Sequence, residues 1–192
     1  MKLGYVTALP ALLFTEGASA HTLGAKGLGF YQGFIHPLVG FDHLLVMLAV
    51  GMWAAQVGGR ARWLIPCAFM MMLALGAAAA VTGWPLPQVE LGIASSIVLS
   101  GLLIATAARI PLVWAVGVVG LFALFHGHAH GAEMPQAATP WVYAMGFMLS
   151  TGALHGLGVV MGMMHSYCWP ARLLRLGGAG VVTLGVWFLA GL

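Results

Sequence analysis

Six apolar segments dominate this chain, and each is long enough to cross a lipid bilayer as a helix. Such a helix needs about 20 mostly apolar residues. The segments lie at roughly 29–57, 62–83, 89–108, 110–130, 140–165 and 171–191. Only 6% of the residues are charged, whereas soluble domains contain about 25%. The sequence therefore predicts an all-α fold, a polytopic membrane helix bundle whose first span is interrupted at Pro37 and Gly40.

The first 20 residues have the pattern of a secretory signal peptide. A basic start and a short apolar run end at Phe14, and an A-x-A cleavage site follows at Ala18-Ser19-Ala20. We therefore expect a cleaved signal peptide at 1–20 and a six-helix transmembrane domain at 21–192, beginning at His21. An uncleaved additional helix is the alternative, but the apolar run is short for a span.

The arginines fall between spans on one side of the bundle only. They follow the first, third and fifth spans, at Arg60, Arg62, Arg109, Arg172 and Arg175. Cytoplasmic loops carry the excess of Lys and Arg, so these turns are expected to face the cytoplasm of a bacterial inner membrane. The multi-pass chain would then have its mature N-terminus outside. Its two sets of three spans would enter in opposite senses, which permits a 3+3 inverted repeat.

Small residues recur at the four-residue spacing that lets helix backbones approach closely. The pairs are Gly29/Gly33, Gly127/Gly131, Gly152/Gly156 and Gly158/Gly162. We expect them to lie at helix contacts.

The first span carries an acid and two imidazoles where a membrane protein normally has none. His36, Asp42 and His43 lie near its middle, and Asp42 is the only aspartate of the chain. Ionisable residues inside a bilayer are costly and mark a pathway or a binding site. A helix distorted at Pro37 and Gly40 could turn Asp42 toward the two histidines.

The fourth span ends in a second such cluster. His126, His130 and Glu133 follow at helical spacing, so they share one face. Imidazole nitrogen and carboxylate oxygen form a ligand set for Ni²⁺, Co²⁺, Zn²⁺ or Cu²⁺, among which ligand type alone does not choose. The sequence predicts that both clusters line one metal pathway. It would run from Glu133 and His130 to His126, then to His36, His43 and Asp42.

Two further histidines are candidate metal ligands. His155 lies within the fifth span, where the alternative is a histidine hydrogen-bonded for packing. His21, if cleavage exposes it, offers a free α-amine beside its imidazole. His128 falls nearly opposite His126 and His130 on a helix and is expected to face elsewhere.

Two motifs in these segments resemble those of the HupE/UreJ family of hydrogenase and urease accessory proteins. The first is His-Pro-x-x-Gly-x-Asp-His, from His36 to His43. The second is Phe-His-Gly-x-Ala-His-Gly-x-Glu, from Phe125 to Glu133. The resemblance implies a nickel permease that serves hydrogenase or urease maturation, with some relatives assigned to cobalt. It also implies functional roles for the acids and histidines of both motifs, whereas His128 occupies a variable motif position.

The predicted function is therefore secondary transport of a divalent metal, with nickel or cobalt as the transported ligand and no permanently bound cofactor. The chain has no GxxxxGK[ST] loop for ATP and no clustered basic face for nucleic acid. The expected partners are the metal ion and the lipid bilayer, and a homo-oligomer is compatible with the sequence. Alternatives are a copper transporter, which the methionines suggest, and a haem-binding electron carrier with histidines as axial ligands. An enzyme is not expected, because the His-Glu-x-x-His motif is absent.

Overall fold

The computed structural model describes residues 28–135, 138–164 and 171–192. All regular structure in these ranges is helical. Seven α-helices follow one another: α1 (Leu28–Val39), α2 (Phe41–Val57), α3 (Ala61–Val81), α4 (Val89–Thr106), α5 (Leu112–Ala132), α6 (Pro140–Met164) and α7 (Ala171–Ala190). The predicted all-α bundle is confirmed, whereas the predicted signal peptide lies outside the described residues.

The predicted spans correspond to these helices. Among the described residues, α3 to α7 are each long and apolar enough to cross a membrane, and α1 and α2 together form a sixth candidate bent by 77°. The bend lies at the predicted interruption. Pro37 supplies no N–H to α1, and Gly40 begins α2 with an extended backbone, φ −74° and ψ 105°. The break is confirmed as a sharp change of direction between two short helices.

Three helix pairs form the body of the bundle, and glycines allow each pair to pack closely. The pairs are α3 with α5, α2 with α6, and α4 with α7. A Cβ at Gly127 would overlap the Leu73 carbonyl, and one at Gly158 would overlap the Leu48 carbonyl. Between α4 and α7, the same close approach involves Gly101. Helix backbones thus touch where a side chain would separate them.

The glycine pairs predicted from spacing are confirmed in part. A Cβ on either member of Gly127/Gly131 or Gly158/Gly162 would meet the backbone of a neighbouring helix, as would a Cβ at Gly33. Gly29 has ordinary contacts only. The prediction is wrong for Gly152/Gly156, because a Cβ at Gly156 would meet open space and one at Gly152 would touch only the end of Met70.

The arginines gather at one end of the bundle, as predicted. The indole of Trp53 on α2 donates to the Ala108 carbonyl at 2.9 Å, and the Arg175 guanidinium on α7 donates to the Ala105 carbonyl at 2.7 Å. The end of α2, the end of α4 and the start of α7 are therefore neighbours. Arg60 and Arg109 directly follow two of these helix ends. We call this the arginine end.

The opposite end holds the end of α5. There Nε2 of His128 lies 2.9 Å from the Trp84 carbonyl, just beyond the end of α3. We call this the histidine end, because both sequence clusters lie toward it.

Candidate metal site

A three-ligand group lies at the histidine end, where α1 meets α5. His36, His130 and Glu133 each offer a ligand atom, and these atoms all lie within 4.8 Å of one another. Nε2 of His36 is 3.3 Å from Oε2 of Glu133, and Nδ1 of His130 is 4.0 Å from the same oxygen. Two imidazoles and one carboxylate therefore converge on a volume the size of a metal ion. The first-span and fourth-span clusters both contribute residues to this group.

Two more imidazoles continue this group into the bundle. The ring of His43 lies 3.9 Å from the ring of His130 between centroids, and His126 lies 4.9 Å from His43. His36 is 4.7 Å from His130. The four rings thus form a continuous row, which we call the imidazole row.

The break in the first span is what brings His36 and His43 into one row. On an unbroken helix, seven residues separate two side chains by about 10 Å along the axis. Here the two ring centroids are 6.4 Å apart. His36 occupies the last turn of α1 and His43 the first turn of α2. The 77° bend between them lets both rings face α5.

Asp42 orients its neighbour rather than joining the three-ligand group. Its Oδ1 lies 2.8 Å from Nδ1 of His43, and a carboxylate can only accept, so Nδ1–H donates. The other ring nitrogen of His43, Nε2, is then the one with a lone pair. That atom is buried, and no described residue is hydrogen-bonded to it. A carboxylate behind an imidazole is the usual support of a metal-ligating histidine.

His126 is oriented in a similar way by Ser96 on α4. The Ser96 hydroxyl donates its one proton to the Ile93 carbonyl at 2.6 Å. Its oxygen lies 2.7 Å from Nε2 of His126, so the ring must donate that bond from Nε2–H. Nδ1 of His126 therefore keeps its lone pair, and it too is buried without a hydrogen-bond partner in the described chain.

His130 lies at the centre of the row, and no described residue holds its ring by a hydrogen bond as the rings of His43 and His126 are held. Its side chain is 3% exposed, and neither ring nitrogen makes a hydrogen bond to any described residue. A buried polar atom without a partner costs roughly 1–3 kcal/mol. Such an arrangement fits a histidine that binds an ion through its one unprotonated nitrogen.

Exposure falls from the mouth of the site inward. The side chain of Glu133 is 54% exposed and that of His36 is 30% exposed, whereas His43 retains 7%. His126 is fully buried. The carboxylate therefore lies at the exposed mouth of the site, and the imidazoles follow behind it.

The remaining predicted residues have different positions. His155 lies apart from the row, beyond Phe69, and His21 lies outside the described residues. His128 turns away from the row, as expected, and contacts the Trp84 carbonyl. The predicted order along the pathway is wrong for His36, which lies beside Glu133 at the mouth rather than after His126. The reason is the bend, which directs α1 along α6 and leaves His36 beside His130 and Glu133.

Several residues of the site were missed from the sequence. Ser96 gave a weak signal as a polar residue within a span. Tyr143 and Phe147 on α6 gave none, although Phe147 packs 4.2 Å from the His130 ring between centroids and Tyr143 packs 6.2 Å from that of His36. Phe69 on α3 lies 5.9 Å from His126. Aromatic residues are common in apolar helices, so only the packing identifies these three.

Comparison with known proteins agrees with the geometry. The HupE / UreJ protein family matches residues 9–188, which is nearly the whole chain. The chain belongs to the HupE/UreJ family. It is 39% identical over 185 residues to Protein HupE of Rhizobium leguminosarum bv. viciae, covering 96% of each chain. No solved structure matches the chain.

Family membership and the apolar helices together describe a multi-pass membrane protein. Membership of the family supports a role as an accessory protein in metal transport. The two motifs of this chain lie within the matched residues, and the imidazole row is where their side chains meet.

Proposed function

We propose that this chain is a permease that takes up Ni²⁺ across the bacterial inner membrane for hydrogenase or urease maturation. The observation that carries the proposal is the convergence of His36, His130 and Glu133 within 4.8 Å, continued inward by His43 and His126. Only 6% of the chain is charged, so this concentration of acids and imidazoles has no counterpart elsewhere in the described bundle.

The ion is a substrate and not a resident cofactor. Transport requires a site that binds well enough to admit the ion yet weakly enough to release it. The imidazole row meets both conditions, because its nitrogens follow one another along the row. The ion can therefore exchange one nitrogen ligand for the next. Co²⁺ would use the same nitrogen and oxygen ligands and is the alternative substrate.

The membrane potential can drive the movement. We place the mature N-terminus and the histidine end outside. A potential of 100 mV then favours inward movement by about 2.3 kcal/mol per charge, which is about 4.6 kcal/mol for a divalent cation. The carboxylates of Glu133 and Asp42 would offset the charge of the ion as it leaves water. No nucleotide is required.

The other functions considered fit the site less well. The imidazoles of the row contact one another directly, so a porphyrin cannot lie between them as axial ligation requires. Copper(I) prefers thioethers and thiolates, whereas the ligands gathered at the mouth are two imidazoles and a carboxylate.

The test is uptake of radioactive nickel and cobalt by cells that lack their own transporters for these metals and express the full chain. We expect nickel accumulation that a protonophore abolishes, because it collapses the membrane potential. His130→Ala and Glu133→Gln should each abolish accumulation at unchanged membrane levels, whereas His128→Ala should leave it intact. Equal accumulation by cells with and without the protein would contradict the proposal.

A further inference from the structure

One buried histidine remains outside the imidazole row. His155 on α6 is 1% exposed, and its Nδ1 lies 2.8 Å from the Thr151 carbonyl. A carbonyl only accepts, so Nδ1–H donates and Nε2 keeps its lone pair. Nε2 is buried and has no hydrogen-bond partner in the described part of the chain. His155 thus shares the arrangement of His43 and His126: one nitrogen is held by an acceptor and the other is left free.

The ring contact between His130 on α5 and Phe147 on α6 gives the depth of His155. The rings of His130 and Phe147 are adjacent at 4.2 Å, so these two residues lie at one level. His126 is one turn nearer the arginine end than His130, about 6 Å along α5. His155 is eight residues past Phe147, about 12 Å along α6 in the same direction. The histidines therefore follow one another in steps of about one helical turn.

A single aromatic ring separates His155 from the row. Phe69 is fully buried, and its ring lies 5.9 Å from that of His126 and 4.8 Å from that of His155 between centroids. An apolar ring offers an ion no ligand, so it divides the histidines into an outer set and an inner one. The hydroxyl of Thr151, one turn before His155, is also buried and makes no hydrogen bond to a described residue.

From these observations we propose that His155 is the ligand of a second, inner metal station, which receives the ion from His126 past Phe69. This inference rests on the proposed transport function and deepens it. The ligand atom is Nε2, and the bond from Nδ1–H to the Thr151 carbonyl fixes its orientation, as for a metal-ligating histidine. The ion at this station is the transported divalent metal, held within α6 on the arginine-end side of its midpoint.

Two substitutions separate a ligand from a packing residue. His155→Asn keeps an N–H near the position of Nδ1, so the bond to Thr151 can persist, but it removes the ligand at the position of Nε2. His155→Gln reverses this, because its amide oxygen reaches the position of Nε2 and the bond to Thr151 is lost. A merely structural histidine would tolerate Asn better than Gln.

The experiment measures radioactive nickel uptake by full-length protein in proteoliposomes with an imposed potential, and nickel binding by the same protein in detergent. We expect His155→Asn to keep nickel binding at the outer set and to lose it at the inner station. Its transport should be at least about tenfold slower, since single metal-site partners are commonly worth 10–100-fold. His155→Gln should retain more transport than His155→Asn.

Normal transport by a folded His155→Asn variant would overturn the inner station while leaving the proposed function standing. If the His155→Asn protein does not fold and reach the membrane, the His155→Gln variant tests the inference instead. Loss of its transport at an unchanged melting temperature contradicts the inference, and retained transport supports it. Failure of the unaltered protein to transport nickel would instead contradict the proposed function itself.

Discussion

At the scale of single residues, the site depends on which nitrogen of each imidazole carries the proton. Asp42 accepts from His43, Ser96 accepts from His126, and in each case the second nitrogen is left free and buried. A neutral imidazole that donates from one nitrogen presents a lone pair on the other. These acceptors therefore prepare two ligands without touching the ion.

The role of Ser96 can be tested with Ser96→Ala. The change removes the acceptor for His126 Nε2–H with little change in volume, so His126 can adopt the other tautomer or rotate. We expect the apparent nickel affinity in uptake assays to fall about tenfold, since partners that orient metal ligands are commonly worth 10–100-fold. Ser100→Ala, one turn along the same helix, is the matched control and should resemble the unaltered protein. If Ser96→Ala and Ser100→Ala had the same apparent nickel affinity, Ser96 would have a packing role and would not orient His126.

Asp42→Asn tests the charge behind His43. An asparagine oxygen can still accept from His43 Nδ1–H, but the anion that offsets the ion's charge in a low-dielectric setting is gone. We expect the initial rate of nickel uptake to fall about 10–100-fold at unchanged membrane levels, measured by immunoblot alongside the uptake assay. Met71→Leu, at an exposed position on α3, should have little effect. Normal nickel uptake by Asp42→Asn would show that transport does not need the negative charge of Asp42.

The sequence was sufficient to identify the residues that gather at the candidate site but not their order. His36, His130 and Glu133 stand out because acids and imidazoles are rare in apolar spans. The position of His36 beside Glu133 depends on the 77° bend, which no spacing rule gives. The supporting contact of Ser96 could not be predicted, because these helices are apolar on nearly all sides and their rotation leaves no clear pattern in the sequence.

At the scale of helices, the fold depends on backbone contact between paired helices. The length and position of every described span follow from hydropathy, and the broken span follows from Pro37 and Gly40. Which glycine lies in a contact does not follow, because Gly152/Gly156 and Gly158/Gly162 have the same spacing on α6. Only the second pair faces α2.

This difference makes α6 a good place to test the packing. Gly158→Ala would place a methyl group against the Leu48 carbonyl, whereas Gly156→Ala would place one in open space. We expect Gly158→Ala to destabilise the purified protein by about 1–3 kcal/mol, the usual cost of overpacking, and to lower its melting temperature, followed by tryptophan fluorescence in detergent. Gly156→Ala should cost nothing, because alanine favours helix. A similar effect of both changes would argue against the α2–α6 contact.

At the scale of the whole molecule, the helix pairing is symmetric between the two halves. The first span is α1 with α2, and the second to sixth spans are α3 to α7. If the first three spans are exchanged in order with the last three, the α3–α5 pair becomes the α6–α2 pair. The α4–α7 pair is unchanged by this exchange. The predicted 3+3 inverted repeat would produce this pairing, although the repeat itself stays a prediction. The pairing brings the first span, α5 and α6 together around the histidines, and transporters with such repeats commonly bind substrate where the halves meet.

The orientation of the bundle decides whether the same site serves uptake or export. Thr82 closes α3 near the histidine end and Thr106 closes α4 at the arginine end. Both are exposed, and both hydroxyls bond to carbonyls of their own helix, so Thr82→Cys and Thr106→Cys form a matched pair. They are best made with Cys67 and Cys168 replaced by Ala. In intact cells, a membrane-impermeant maleimide should label Thr82→Cys, whereas Thr106→Cys should react only after permeabilisation, because the arginine end is predicted to face the cytoplasm. The opposite pattern would place Glu133 inside, where the membrane potential would hold a divalent cation back from leaving. Nickel uptake through the imidazole row would then be untenable.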